Sequence, residues 1–443
     1  MGAARRRTVD TVGLNRGLET AVSDYPTPSN RTAEAAATAA ASPWRGRLVV
    51  LAGLLLMALN SRIMVAVVSP IIGLIRHDIP ITRSDQGVIG LMAPLCFSVF
   101  GAISPALGRR LGLEALMVGA LAVSGIGEVY RAMMHTPVQF IAWTIPALIG
   151  AGVGNVIAPP LIKKYFPDRV GAVTAIYTFF TTISTSLPPL FILNIAEATG
   201  WRFSVGMWAV IGFCGVIPWL VVLFSSEHAG ERLAAVKRRL DPRVATPRPP
   251  RLHVSLLRNP IAWAMTIVFT VNSIIAYTAF AWLPQVFTDA GMPLARADLY
   301  LGAFAAGSLP GALITPMLVA RMKRTWILPI VFFSAYVVSL TSLAINPARL
   351  TLLWILLSRV GDCFFPYVLT MINLRTRTTR GSIAMSGFVQ PVAYMIAVLG
   401  PSGFGLLHTL TGNWHIPMFA IVACLPLQLI GGIIVARSKP VEI

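Results

Sequence analysis

The stretch LVVLAGLLLMALNSRIMVAVVSP, Leu48 to Pro70, decides the fold class. It contains no acid and a single base, and about 20 such residues in a helix rising 1.5 Å each cross the roughly 30 Å hydrocarbon core of a bilayer. The one charge, Arg62, falls about fifteen residues into the helix, near the midplane. A guanidinium at that depth costs at least about 2.5 to 3.5 kcal/mol on insertion scales, so it is retained where it faces a polar interior. Arg359 lies in the middle of a second apolar run in the same way.

The rest of the chain repeats this pattern. Of 443 residues, 56% are hydrophobic and only 12% charged, whereas about a quarter of a soluble domain is charged. Apolar stretches run approximately over 47–73, 86–107, 115–134, 138–162, 170–195, 203–224, 259–284, 297–320, 325–345, 350–372, 382–407 and 414–436. The expected fold is therefore an all-α integral membrane protein of twelve transmembrane helices.

A net charge of +19 could suggest nucleic acid as a partner, but the basic residues are distributed by side. One set of gaps holds Arg109, Arg110, Lys163, Lys164, Arg169, Arg321, Lys323, Arg324, Arg375, Arg377, Arg380, Arg437 and Lys439, together with the basic amino-terminal tail. The other set holds only Arg76, Arg83, Arg131, Arg202, Arg296 and Arg349. The positive-inside rule assigns the first set, and both termini, to the cytoplasm, and no nucleic-acid partner is expected. The lipid bilayer of the plasma (inner) membrane is the expected environment. Cys96, Cys214, Cys363 and Cys424 sit in four different runs without metal-type spacing and read as buried small hydrophobes. No metal or cofactor is expected.

The longest polar gap divides the spans six and six, giving expected boundaries of a disordered cytoplasmic tail over 1–45, a six-helix bundle over 46–224, a basic cytoplasmic linker over 225–258, a second bundle over 259–437 and a short tail over 438–443. Three echoes support a duplication. Ile103-Ser104-Pro105-Ala106-Leu107 before Arg109 matches Ile314-Thr315-Pro316-Met317-Leu318 before Arg321. Arg169 before Gly171 matches Arg380 before Gly381, and Thr199-Gly200-Trp201 matches Thr411-Gly412-Asn413-Trp414. Each pair is about 211 to 213 residues apart, in the same topological position. Two such halves with cytoplasmic termini have the layout of major facilitator transporters, whose halves rock around a site at the midplane. By analogy with that fold, helices one and ten, which carry Arg62 and Arg359, face one cavity.

Particular residues also resemble the cyanate permease and nitroimidazole transporter family of the major facilitator superfamily. They are Asn60-Ser61-Arg62 in helix one, Gly154-Asn155 with Pro159, Lys163, Phe166 and Pro167 in helix four, and Tyr177-Thr178 in helix five. Tyr277 with Ala281-Trp282-Leu283-Pro284 in helix seven, and Gln390, Tyr394 and Gly400-Pro401 in helix eleven, continue the likeness. Ile63 departs from the family's usual proline, and Arg359, Gly361 and Asp362 replace a Gly-rich, Gln-containing helix-ten centre. The resemblance implies the fold and transport of small solutes but does not carry over a substrate, because family substrates are chemically dissimilar.

Arg62 has no acid within one helical turn. Its planar fork of five donors suits a carboxylate or small oxyanion, although it could instead pin the bundle by binding carbonyls or a distant acid. Arg359 is three residues from Asp362, on the same helical face, so the two could neutralise each other. Asp362 could alternatively carry a proton beside a movable cation. Glu128, near the outer end of helix three, is expected to pair with Arg131 at the interface, with a role in coupling transport as the alternative. Asn60, Asn155, Tyr177, Tyr277, Gln390 and Tyr394 are polar groups inside spans, able to line the cavity or to bond neighbouring helices.

The expected function is secondary active transport of a small anionic or polar organic solute by alternating access, coupled to protons and carried out by a monomer. An alternative is a drug/proton antiporter exporting hydrophobic compounds. Against it, helix one carries a cation, and no glycine lies between Gly171 and Gly200, where such antiporters hold a Gly-rich motif. A membrane enzyme would need His, Asp, Ser or Cys clustered near one interface, a constellation the sequence lacks.

Overall fold

The structure is a computed structural model that describes residues 47–225 and 256–441. The expected amino-terminal tail, most of the linker and the last two residues of the expected carboxy-terminal tail lie outside the described residues. Among the described residues, eleven helices are long and apolar enough to cross a membrane, and counting one bent pair as a span gives twelve. The only bridge among the described residues joins Thr376 to Val441. Large apolar side chains such as Phe224, Val138 and Leu410 are exposed around the outside, as expected where the surrounding solvent is hydrocarbon.

The spans are less continuous than the sequence implies, and their breaks have local causes. The first span covers Leu48–Ala66, pauses at the short turn Ser69–Ile71 and resumes over Ile72–Asp78. The fifth divides into Val170–Ser186 and Pro188–Thr199, where consecutive prolines remove two backbone donors, and bends by 49°. The tenth divides into Thr351–Gly361 and Phe364–Leu374. Here Pro366 cannot donate to the Asp362 carbonyl four residues earlier. That carbonyl accepts from Phe365 N instead, at 2.9 Å, so the chain makes a tighter turn at Asp362. The eleventh divides into Thr379–Ala397 and Leu399–Thr411, with Pro401 four residues after Ala397.

Between spans, small residues allow close approach. A Cβ on Gly127 of the third span (Leu113–Met133) would lie 2.3 Å from the backbone nitrogen of Ala147 in the fourth (Pro137–Tyr165). A Cβ on Gly361 would lie 2.3 Å from the Tyr336 ring in the ninth (Ile327–Ile345).

The repeated Gly-Trp motif has a structural counterpart. Gly200 and Gly412 both have positive φ, 89° and 67°, a region that glycine enters without a Cβ penalty. Each turn delivers a tryptophan to an aspartate at the end of an earlier helix. Trp201 Nε1 donates to Asp78 Oδ2 at 2.8 Å, and Trp414 Nε1 donates to Asp289 Oδ2 at 2.9 Å.

The first and second halves of the chain are joined by side chains that donate to backbone carbonyls. Ser98 donates to Pro391 O at 2.8 Å, Thr178 to Ala312 O at 2.6 Å, and Ser386 to Val156 O at 2.6 Å. At the carboxy-terminal end of the fourth span, Lys163 Nζ donates to Asn373 O at 2.9 Å, to Thr376 Oγ1 at 2.9 Å and to the Thr376 carbonyl. These contacts close the end of the molecule where Val441 N meets the Arg375 carbonyl, at 2.8 Å.

Candidate functional site

Arg62 reaches across the two halves. Its Nη1 donates to the Tyr277 hydroxyl at 2.8 Å and its Nη2 to the Tyr394 hydroxyl at 3.2 Å. Tyr277 belongs to the seventh span (Pro260–Asp289) and Tyr394 to the first helix of the eleventh (Thr379–Ala397). The guanidinium carbon also lies 5.2 Å from the centroid of Phe97 and 5.9 Å from that of Phe365, distances at which a ring face attracts a cation. Tyr394 is braced edge-on by Phe97 at 5.4 Å, Phe269 at 5.2 Å and Tyr277 at 6.3 Å. Tyr177 is buried within electrostatic reach of Arg62. Arg62 itself stays partly exposed, so the cluster does not enclose it.

A second polar cluster belongs to the second half alone. Arg359 Nη1 lies 3.5 Å from Asp362 Oδ2, and Asn272 Nδ2 donates to Asp362 Oδ1 at 3.1 Å. The Tyr336 hydroxyl completes the chain by donating to Asn272 Oδ1 at 3.0 Å. The Arg359 guanidinium also stacks on Phe304, with its carbon 3.3 Å from the ring centroid. Asp362 is therefore held by Arg359 and Asn272, and Arg359 is itself buried.

The remaining sequence candidates separate by location. Asn60 Nδ2 donates to Ser124 Oγ at 3.1 Å, and that hydroxyl donates on to Ala147 O at 2.6 Å. Asn60 thus ties spans of the first half together. Gln390 Nε2 donates to Asn155 O at 2.9 Å and to Ser386 Oγ at 2.8 Å, which places both residues in the seam between halves. The Asn155 side-chain nitrogen is buried without a partner.

Glu128 and Arg131, expected to pair at the interface, are instead buried and within electrostatic reach of each other without a hydrogen bond between them. Both residues are 1% exposed, and neither carboxylate oxygen of Glu128 has a hydrogen-bond partner. Arg131 Nη1 instead donates to the Met64 carbonyl at 3.1 Å. Met64 lies in the last turn of Leu48–Ala66, where carbonyls lose their intrahelical donors, and Arg131 satisfies one of them.

The sequence reading did not identify Phe97 or Phe365 as site residues. Nothing in an aromatic inside a span marks it, although Phe365 lies three residues beyond Asp362. At the opposite end from Lys163, hydrogen bonds from Trp201 and then Arg202 hold the Asp78 carboxyl below the usual carboxylate range. Asp85, in a capping box with Thr82, is lowered by the Thr82 backbone and side-chain donors. Among the described residues, no group of three or more His, Cys, Asp or Glu could hold a metal ion.

Helices long and apolar enough to cross a bilayer, with one arginine bridging the two halves of the chain, define a multi-pass membrane protein. The sequence profile of the Major Facilitator Superfamily matches residues 54–401, and the chain belongs to that family. It is 26% identical over 402 residues to the 2-nitroimidazole transporter of Escherichia coli (strain K12), covering 90% of this chain and 98% of the relative. It is 26% identical over 382 residues to the uncharacterized transporter YycB of Bacillus subtilis (strain 168), covering 85% and 90%. The cyanate transport protein CynX of Escherichia coli (strain K12) is 21% identical over 371 residues, covering 82% and 90%. Among solved structures, a double-Trp mutant of XylE superposes with a TM-score of 0.67 at 13% identity, covering 89% of this chain and 96% of that one. This likeness concerns the fold. The all-helical architecture and the transport of small solutes follow from family membership.

Proposed function

We propose that the chain carries a small anionic or polar organic solute by alternating access, acts as a monomer, and uses Arg62 as the principal anchor. The observation that carries this reading is the bridge from Arg62 to Tyr277 and Tyr394 at mid-depth. Two neutral hydroxyls occupy terminal nitrogens of a cation that prefers a charged, bidentate acceptor. A carboxylate or similar anion entering beside the partly exposed guanidinium competes for those donors. By displacing tyrosines of the second half, it changes what holds the halves together. Solute affinity then differs between conformations, which a ligand-driven transition requires. The names of two relatives, 2-nitroimidazole transporter and cyanate transport protein, support compact polar solutes.

The two halves, 46–224 and 259–437, are read as duplicated six-helix units, supported by the repeated Trp–Asp contacts. Basic gaps support cytoplasmic termini, which puts the Lys163 end inside and makes this a cytoplasm-closed state. Lys163 then acts as a latch that inward opening must release. Proton coupling is assigned to Asp362, whose partners Arg359 and Asn272 could exchange contacts as it takes up or loses a proton. Glu128, buried and without a hydrogen-bond partner, is the second candidate carrier.

The test is a thermal-shift screen of purified protein against small anions, carboxylates and nitroheterocycles, repeated with Arg62→Ala. A hit whose stabilisation disappears in the variant supports the anchor. A confirmed solute bound equally well without Arg62 refutes it. Loss of pH-gradient dependence in Asp362→Asn, with solute exchange retained, would support the coupling assignment.

A further inference from the structure

From residue 361 to residue 373, only Asp362 and Phe365 of the tenth span keep any appreciable exposure. Phe364, Tyr367, Val368, Met371 and Ile372 are fully buried. The tight turn at Asp362 keeps the two partly exposed residues on one side, joined by the bond from Phe365 N to Asp362 O. That side does not face lipid, because Asp362 pairs with Arg359 and accepts from Asn272, and a carboxylate aimed into hydrocarbon would be strongly disfavoured. It faces Arg62, whose guanidinium lies 5.9 Å from the Phe365 ring although it comes from the other half of the chain.

The rings around Arg62 are not equivalent. Phe97, at 5.2 Å, is 0% exposed, Phe269 and Tyr394 are each 1% exposed, and all three form packed walls. Phe365 and Tyr277 are the partly exposed ones. Tyr277 already spends its hydroxyl as an acceptor for Arg62, which leaves Phe365 as the partly exposed apolar ring at the guanidinium. We propose that Phe365 is a specificity-determining residue, selecting solutes with a flat π-system attached to the anionic group over saturated solutes of equal charge and similar size.

The physical basis is the geometry of ring contact. An anion held on the guanidinium fork has its organic portion placed against Phe365. A flat ring can pack offset-stacked or edge-on there, using the ring quadrupoles as well as area. A saturated ring presents axial hydrogens, fills more thickness for the same charge and gains area burial alone. This inference rests on the Arg62 reading above, because without the anchor nothing orients the solute.

Benzoate and cyclohexanecarboxylate are matched probes, each with one carboxylate on a six-membered ring and differing in planarity. Their affinities for the purified full-length chain would be measured by titration calorimetry. The wild type is expected to favour benzoate by about three- to tenfold, the range an aromatic contact adds beyond burial. Phe365→Leu, which keeps apolar bulk, should erase that preference chiefly by weakening benzoate, and Phe365→Tyr should retain it and so control for folding. Equal binding of the two acids by the wild type, no binding of benzoate, or an unchanged preference in Phe365→Leu would each overturn the proposal. Arg62→Ala separates the two layers. If it removes binding of both acids while Phe365→Leu keeps the preference, the anchor stands and the role of Phe365 falls. If both acids bind Arg62→Ala as well as wild type, the anchor reading fails first.

Discussion

The two halves of the chain are alike at one rim and unlike at mid-depth. At the rim, a positive-φ glycine turns a tryptophan onto an aspartate in each half. At mid-depth, the residue about 212 positions after Arg62 is Ile274, and the residue the same distance before Arg359 is Ala147. The rim contact needs only a local turn and one hydrogen bond, and it serves either half equally well. A charged anchor in both halves would place two unpaired cations in one low-dielectric space. The second half instead neutralises its own arginine with Asp362, leaving Arg62 to bridge the halves.

The most severe way to break this asymmetry is Arg62→Ala, expected to weaken solute binding by about a hundredfold, as for truncation of one partner of a desolvated charge pair. Arg359→Ala should cost much less affinity and should mainly alter proton dependence. Titration of an identified solute with both variants checks the difference. Packing gives the next contrast. Gly127→Ala forces a methyl group onto the rigid backbone at Ala147 and should cost about 1–3 kcal/mol in stability. Gly361→Ala meets the Tyr336 ring, so it should also disturb the Asn272–Asp362 contacts and the pH dependence of transport. Denaturation in detergent and transport rates in vesicles separate the two effects.

Removing the Lys163 latch should have an intermediate effect. In Lys163→Met, a cysteine placed at Ser382 should react about tenfold faster with a membrane-impermeant thiol reagent added from the latch side, in line with loss of a charged hydrogen bond. The smallest effects belong to the repeated rim. Trp414→Phe should lose about 0.5–1.5 kcal/mol in a thermal melt. In the first half, the Asp78 carboxyl is held low by Trp201 and Arg202. Its stabilisation is therefore present above the unfolded-state carboxylate pKa and fades as pH falls through the lower folded value. Asp78→Asn should flatten the acid side of a stability–pH profile below about pH 4.

The spans were legible in the sequence because a bilayer imposes length and hydropathy on each crossing. The breaks were less legible. Pro188 and Pro189 interrupt a run that hydropathy alone reads as continuous from 170 to 195, and Pro366 acts on a carbonyl a full turn earlier. At the site, Arg62 stood out because its charge lacked a sequence-local partner. Its partners Tyr277 and Tyr394 lie 215 and 332 residues away, and helix order alone does not fix such distances. Glu128 and Arg131 show the opposite failure. Their spacing implied an interfacial pair, but both are buried, and one guanidinium nitrogen serves an orphaned carbonyl in another span.

Besides the Arg62–tyrosine bridge and the bond from Lys163 to Thr376 Oγ1, the seam between the halves uses backbone acceptors. Ser98, Lys163, Thr178, Ser386 and Gln390 supply the donors, and Pro391, Asn373, Ala312, Val156 and Asn155 supply carbonyls. A carbonyl is present whatever side chain accompanies it. Mutational tolerance across the seam should therefore be one-sided at each contact: the donor position is chemically constrained, while its partner can drift among residues of suitable size without losing the bond.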